Sequence, residues 1–551
     1  MKRPTWAGLG DVNAFFGLML DNIANLVLAV SLLPIVCGMS ANISGSTQVQ
    51  DFVIRKMIPG TALGVLVGDL IFFFIALRLI RRTGREDVTA MPLGIDTPSL
   101  FGMILFVLGP AFGVAYRDRG LPIEEALDYC WKIGMCSIIT SGVFKIACSL
   151  VSGYVRRALP RAGLLGSLAA VALVLIAFMP LLEIASSPVV GFVSLAIVLT
   201  TLVARIELPY RIPGALAALA VGGTIHVLMH VTGTLGSEGP TSTFTPHLGL
   251  LLPDLSVPWW DVYRESLAYL PIVIPFALAT VVGGIDCTES AAAAGDEYHT
   301  GQVIAVEGLA TIAAGLCGGV IQTTPYIGHP AYKAMGGRSA YVLATALFIG
   351  GAGMLGYFGY LFQWIPQPAI YPVLVFIGLE ITSQSYHATK QDHYPAVAIA
   401  CMPALAYLIT IYTDQILGTL MMSLADFETK NGHLARQLQT LQILSGGGSF
   451  ILTGLLWSSG LAAIIDRRLR LSATFFAIAG VCSLFGVIHS PAKGGVLINP
   501  LSLPDGLPEG AMAGQTPIYL ATAYGAMALV LAGWDLMATK RATDPLPTPV
   551  P

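Results

Sequence analysis

Residues 281–338 read VVGGIDCTESAAAAGDEYHTGQVIAVEGLATIAAGLCGGVIQTTPYIGHPAYKAMGGR, and the rest of the chain is read outward from them. Asp286 and Glu289 stand three apart at the end of an apolar run, so a helix places both on one face. An ionisable side chain near bilayer depth costs roughly 2.5–3.5 kcal/mol on insertion scales, and it therefore turns toward a cavity or a partner. Further on, Thr323-Thr324-Pro325-Tyr326-Ile327-Gly328-His329-Pro330 is too rich in proline and glycine for an unbroken spanning helix. Together the two features predict a polar site inside a membrane protein.

Composition supports that class. Of 551 residues, 55% are hydrophobic and 11% charged, and the mean hydropathy is +0.74. Ordinary soluble domains carry about a quarter charged residues, so the expected fold is an all-α polytopic membrane protein. The eight cysteines fall singly with no CxxC pair and are expected to be small packing residues, not disulfides or metal ligands. Lys2 and Arg3 precede a long apolar run with no small-residue cleavage site, which predicts a retained first span. No basic tract or finger motif points to nucleic acid, and no phosphate-cradling loop points to an ATP-driven pump.

Apolar runs predict spans at 15–38, 57–80, 96–112, 126–154, 164–182, 189–204 and 213–231. A polar stretch to Asp261 follows, then 266–284, 303–320, 326–335, 340–362, 370–385, 395–413 and 449–465, with two extra runs at 471–488 and 517–537. Arginine and lysine clusters follow the even-numbered spans: Arg78, Arg81, Arg82 and Arg85; Arg156, Arg157 and Arg161; Arg205 and Arg211; Lys333 and Arg338; Arg467, Arg468 and Arg470. The positive-inside rule makes that side, and the N-terminus with it, cytoplasmic, at the cell (inner) membrane.

An internal symmetry is also readable. Met91-Pro92-Leu93-Gly94-Ile95-Asp96-Thr97-Pro98 before the third span resembles Thr324-Pro325-Tyr326-Ile327-Gly328-His329-Pro330 before the tenth. Each reads as an extended segment, a polar residue, then a proline opening a half-helix. Two sets of seven spans with matching interruptions predict inverted repeats and a site at their crossing. Asp96 stands where an N-cap is expected, as a cap or as a site residue, with Thr97 next to it. Asp21, Asn22 and Asn25 are polar residues within the first span, either facing the cavity or pairing between helices.

The residues also carry a family resemblance. ESAAAAGDEY is similar to the Glu-Ser-x-Gly-Asp-Tyr segment of the nucleobase permeases, the xanthine/uracil/ascorbate transporter family, and TTPYIGHPAYKAMGGR resembles the broken tenth helix of its adenine/hypoxanthine/guanine branch. IPQPAIYPVLVFIGLEI and ALPRAGLLGSLAAVALVLIAFMPL look like that branch's twelfth and fifth spans. The resemblance implies a core domain of residues 11–158 and 263–362 and a gate domain of 159–262 and 363–466. Residues 467–551 then supply extra C-terminal spans. It further implies a permease, not an enzyme, moving a small nucleobase across the lipid bilayer by alternating access, with a homodimer as a compatible assembly. No cofactor is implied beyond a proton or sodium ion for coupling.

A flat base with N–H donors and carbonyl acceptors needs a fixed acceptor, a few donors and an aromatic slot. Glu289 is the expected acceptor, with Asp286 beside it; Thr324 and the half-helix N–H groups are the donors, and Tyr326 the stacking ring. The family's usual tenth-helix carboxylate aligns with Gly328, which leaves His329 as the expected titrating group or helix cap. That departure keeps an anion carrier of the sulfate-permease type as the alternative, and a non-transporting membrane sensor as a further one.

Overall fold

A computed structural model describes residues 6–41, 47–152, 161–206, 208–209, 212, 214–234, 246, 248–251, 257–326, 328–419, 432–445, 449–490 and 516–543. Lys2, Arg3, Arg156, Arg157, Arg211 and Ile327, used in the sequence reading, lie outside them. The protein is an all-α polytopic membrane protein whose only strands among the described residues are two of three residues each. Nine described helices are long and apolar enough to cross a membrane, or up to eleven if each of two bent pairs counts as one span.

Helices are present at every predicted span. They are α1 (Gly10–Ala41), α2 (Ile58–Thr83), α3 (Thr97–Gly102, running on in wider turns to Asp118), α4 (Ile123–Leu150), α5 (Arg161–Val171), α6 (Pro188–Val198) and α7 (Gly214–Val231). After these come α8 (Leu270–Ala293), α9 (Thr300–Leu316), α10 (His329–Ala334), α11 (Ala340–Met354) and α12 (Gln367–His387). The chain closes with α13 (Cys401–Thr419), α14 (Phe450–Ile465), α15 (Leu469–Leu484) and α16 (Thr516–Thr543). A helix at Gly432–Ser445 is additional; Gln437, Gln439 and Gln442 interrupt its apolar residues, so hydropathy alone does not reveal it.

By packing, the chain forms two units, residues 1–157 with 175–380, and 158–174 with 381–551. Residues 263–362 lie wholly in the first and 467–551 wholly in the second, whereas 159–262 and 363–466 are divided between them. In the first unit α9 packs on α4 and α2, and α11 on α2 and α1. The α4–α9 crossing is close because small residues face each other: a Cβ on Gly142 would stand 2.8 Å from the Gly308 carbonyl oxygen, and one on Gly308 2.9 Å from that of Gly142. In the second unit α14 packs on α5 and α15, and α15 on α16, through alanines, glycines and serines.

Within the first unit, β1 (Leu93–Ile95) and β2 (Thr323–Pro325) pair antiparallel, with Gly94 opposite Thr324. The Tyr326 N–H donates to Pro92 O at 2.8 Å and the Asp96 N–H to Gln322 O at 3.0 Å, which extends the ladder by one bond at each end. Non-helical backbone at membrane depth persists only where protein or a water-lined cavity satisfies its polar groups. Here β1 is buried along its whole length.

Candidate functional site

An antiparallel pair leaves every second N–H and C=O pointing away from its partner strand, and in this ladder side chains from four helices meet those groups. The Leu93 N–H donates to Asp69 Oδ1 of α2 at 3.0 Å, and the Ile95 N–H to Asn22 Oδ1 of α1 at 3.0 Å. On β2 the Thr323 N–H donates to Thr311 Oγ1 of α9 at 3.3 Å, and Thr323 O accepts from Lys145 Nζ of α4 at 3.1 Å. Pro325 has no N–H to satisfy. Leaving one such buried group unpaired costs about 1–3 kcal/mol, so these four side chains hold the ladder in place. Gln322, just before β2, accepts from Ser141 Oγ of α4 at 2.6 Å.

Both helices that follow the strands start in the interior. Asp96 caps α3, its Oδ2 accepting the Ser99 N–H at 3.0 Å, and Thr97 and Pro98 form the first turn, all buried. Gly328 stands at the N-cap of α10 with no side-chain hydrogen bond to that end. A physical reason for the missing side chain is visible, since a Cβ on Gly328 would come within 2.8 Å of the Tyr326 ring and 3.1 Å of the Tyr332 ring. Tyr326, Tyr332 and Tyr341 form a row, with ring centroids 6.1 and 5.2 Å apart.

The predicted residues divide into four places. Asp96, Thr97 and Thr324 are at the strand crossing, and Tyr326 and Gly328 at the mouth of α10. Asp286 and Glu289 are partly buried on the last turns of α8, which runs past the predicted end of the span to Ala293. His329 is fully buried, and its Nε2 lies 3.1 Å from Thr89 O and 3.4 Å from Asp296 Oδ2. Asp296 also accepts the Thr89 N–H at 3.0 Å and Lys333 Nζ at 2.7 Å, and stands 3.3 Å from Arg85 Nη2. Burial by itself would raise the Asp296 carboxyl, but the hydrogen bonds from His329, Lys333 and Thr89 outweigh it and hold the group below the usual carboxylate value. The loops after α2 and α8 are thus tied to α10, with Arg85 also donating to Gly295 O.

Sequence reading passed over the other charged group of the interior. Lys145 Nζ is 2.8 Å from Glu307 Oε1 of α9, and both side chains are fully buried. Asp69, Lys145 and Glu307 each stand alone in an apolar run, and a lone ionisable residue within a span is itself a signal of function. A surface hollow of about 420 Å³ lined by Glu124, Glu125, Asp128 and Lys132 lies at the start of α4, and none of the strand-pair residues lines it.

No family model and no curated protein matches the chain. Similar solved structures include the transmembrane domain of a cyanobacterium bicarbonate transporter, BicA, at 15% identity and a TM-score of 0.44, covering 73% of this chain and 97% of that one. The overall structure of SLC26A9 is 10% identical with a TM-score of 0.46 over 73% of this chain and 65% of that one. The murine Solute Carrier 26 family member A9 anion transporter, in an inward-facing state, is 13% identical with a TM-score of 0.41 over 75% and 68%. The chain thus spans about two thirds of the length of the SLC26A9 structures. These findings correct the expected membership of the nucleobase permeases, and with it the nucleobase substrate: the similar structures include a bicarbonate transporter and an anion transporter. A likeness at this level assigns no substrate.

Proposed function

We propose that the protein is a secondary carrier of small anions that works by alternating access, with the anion held where the starts of α3 and α10 meet the strand pair. The observation that carries this reading is the antiparallel β1–β2 ladder inside a helical membrane unit, each strand leading into a helix whose first turn begins in the interior. Helix starts offer unpaired N–H groups and the positive end of the helix dipole, which favour an anionic group over a cation. Broken helices at matching places in two halves are the sequence mark of a carrier site, and the antiparallel pairing supports reading the halves as inverted repeats. On the α10 side Gly328 adds no carboxylate, whereas on the α3 side Asp96 already takes the Ser99 N–H.

Asp96, Thr97, Thr324, Tyr326 and Gly328 are the residues assigned to this site, with His329 behind it on Asp296. Asp286 and Glu289, on the last turns of α8, are assigned to the entrance. Arg78, Arg81, Arg82, Arg467, Arg468 and Arg470 share one side of the membrane in this reading, the cytoplasmic side.

The test is a thermal-shift and proteoliposome-flux series with hydrogencarbonate, sulfate, chloride and small carboxylates. A ligand of the native state stabilises it by mass action, so at least one anion is expected to raise the unfolding temperature saturably and to cross the membrane. Absence of both effects across the series overturns the reading. Reporter cysteines beside Arg82 and Arg468, in a background without native thiols, are expected to react with an impermeant reagent from the same side.

A further inference from the structure

Among the described residues, Glu307 is a buried carboxylate whose oxygens lack hydrogen-bond donors other than the Lys145 ammonium. Its Oε1 faces Lys145, while its Oε2 accepts no hydrogen bond among the described residues. The Thr280 hydroxyl of α8, 2.9 Å from Ala277 O, is a neutral group close enough to interact with that carboxylate. Gly284, also on α8, faces the same oxygen, and a Cβ there would stand 3.1 Å from it. Asp96 is close enough to act electrostatically on both Lys145 and Glu307. Two carboxylates against one ammonium leave one net negative charge among groups almost wholly out of water. An uncompensated charge in such surroundings costs several kcal/mol.

We propose that Glu307, held by Lys145 and with Asp96 beside it, binds a monovalent coupling cation, a proton or Na+, on its Oε2 side. A bound cation cancels the excess charge; its departure leaves Lys145 shared between two carboxylates, one of which caps α3 at the proposed anion site. Cation occupancy at Glu307 is thereby linked, through Lys145 and Asp96, to the backbone that receives the anion. Thr323 O, the other partner of Lys145, gives a second link, to β2. Facing Glu307 from neighbouring elements are Lys145 of α4, Asp96 ahead of α3 and Cys287 of α8. Asp286 acts on Cys287, and Asp69 of α2 is turned to Leu93.

The coupling role rests on the carrier reading above, but the binding is measured with no transported anion present, so the two fail separately. Purified full-length protein is titrated with NaCl against choline chloride at fixed ionic strength while thermal unfolding is followed. In parallel, infrared difference spectra between pH 5 and pH 9 are searched for the C=O stretch of a protonated carboxylic acid. A sodium site gives saturable, Na+-specific stabilisation; a proton site gives the carboxylic-acid band. Either signal is expected to vanish in Glu307→Gln. Neither signal in the wild-type protein, or a signal that persists in Glu307→Gln, overturns the proposal. Should Glu307→Gln not fold, Asp96→Asn keeps Glu307 and removes the third charge, and cation affinity is then expected to fall about tenfold, the equivalent of one charged contact. An unchanged affinity in that variant also overturns the proposal.

Discussion

The two units solve the same packing problem with different chemistry. Every buried Asp, Glu, Lys or Arg among the described residues lies in the first unit: Asp11, Asp21, Asp69, Asp96, Lys145, Asp296 and Glu307. Among the described residues, the second unit buries only hydroxyls and two histidines as polar side chains. Ser458 Oγ donates to Ala162 O at 2.7 Å, and His489 sits between Ile443 O and the Tyr524 hydroxyl, 2.8 Å from each. Helices packed through small residues need no charge to associate in lipid. Charge becomes necessary where the backbone leaves the helix, because a strand in the interior exposes polar groups that its own turns cannot satisfy. The difference therefore marks where the molecule has given up regular structure.

Mutations test that contrast. The largest effect is expected from Lys145→Met, which leaves Glu307 charged, buried and unpaired; breaking such a pair costs about 3–5 kcal/mol. Adding Glu307→Gln is expected to recover most of it in equilibrium unfolding measurements. A Lys145→Met cost no greater than that of a serine change in the second unit would erase the contrast.

Asp296 comes next, and its effect depends on pH. Its folded-state affinity for protons is lowered, so its contribution is fully present above the ordinary carboxylate value of about 4 and is lost as the pH falls through the lower folded value. Wild-type stability is thus expected to drop as the pH is lowered from about 4, and Asp296→Asn to flatten that slope while costing about 1.5–3 kcal/mol at pH 7. A slope equally steep in the variant would assign the acid sensitivity elsewhere.

Asp69→Ala, which strips the Leu93 N–H of its acceptor, is expected to cost about 1–2 kcal/mol. The smallest change is predicted for Ser458→Ala, near the 0.6 kcal/mol average of inter-helix hydrogen bonds in a membrane protein. Urea or SDS unfolding of the two variants side by side checks their order.

Much of the fold was readable from residues 91–98 and 323–330, because prolines and glycines clustered within a few residues act locally against a continuous helix. Helix positions followed from hydropathy, which is also local, although nine to eleven of the described helices are long and apolar enough to span. What escaped was non-local. Asp69, Lys145 and Glu307 each look like a single blemish in an apolar run, and only the close α4–α9 crossing, at Gly142 and Gly308, brings two of them together. Asp296 was hidden in plain view within GDEYH, since a polar residue in a polar loop gives no signal until Thr89, His329 and Lys333 close on it. Attention to the clustered pair Asp286 and Glu289 drew the reading toward the end of α8 and away from the lone charges behind the strands. The substrate class was carried by resemblance, not by chemistry, and that is the part the comparisons corrected.

The strand pair has a kinetic signature as well. Its amide protons are anchored to α1, α2 and α9, so none of them is released by the fraying of a single helix. In hydrogen–deuterium exchange the amides of Leu93, Ile95 and Thr323 should form a slow-exchanging island inside a proline- and glycine-rich stretch that, by composition, resembles a fast-exchanging loop.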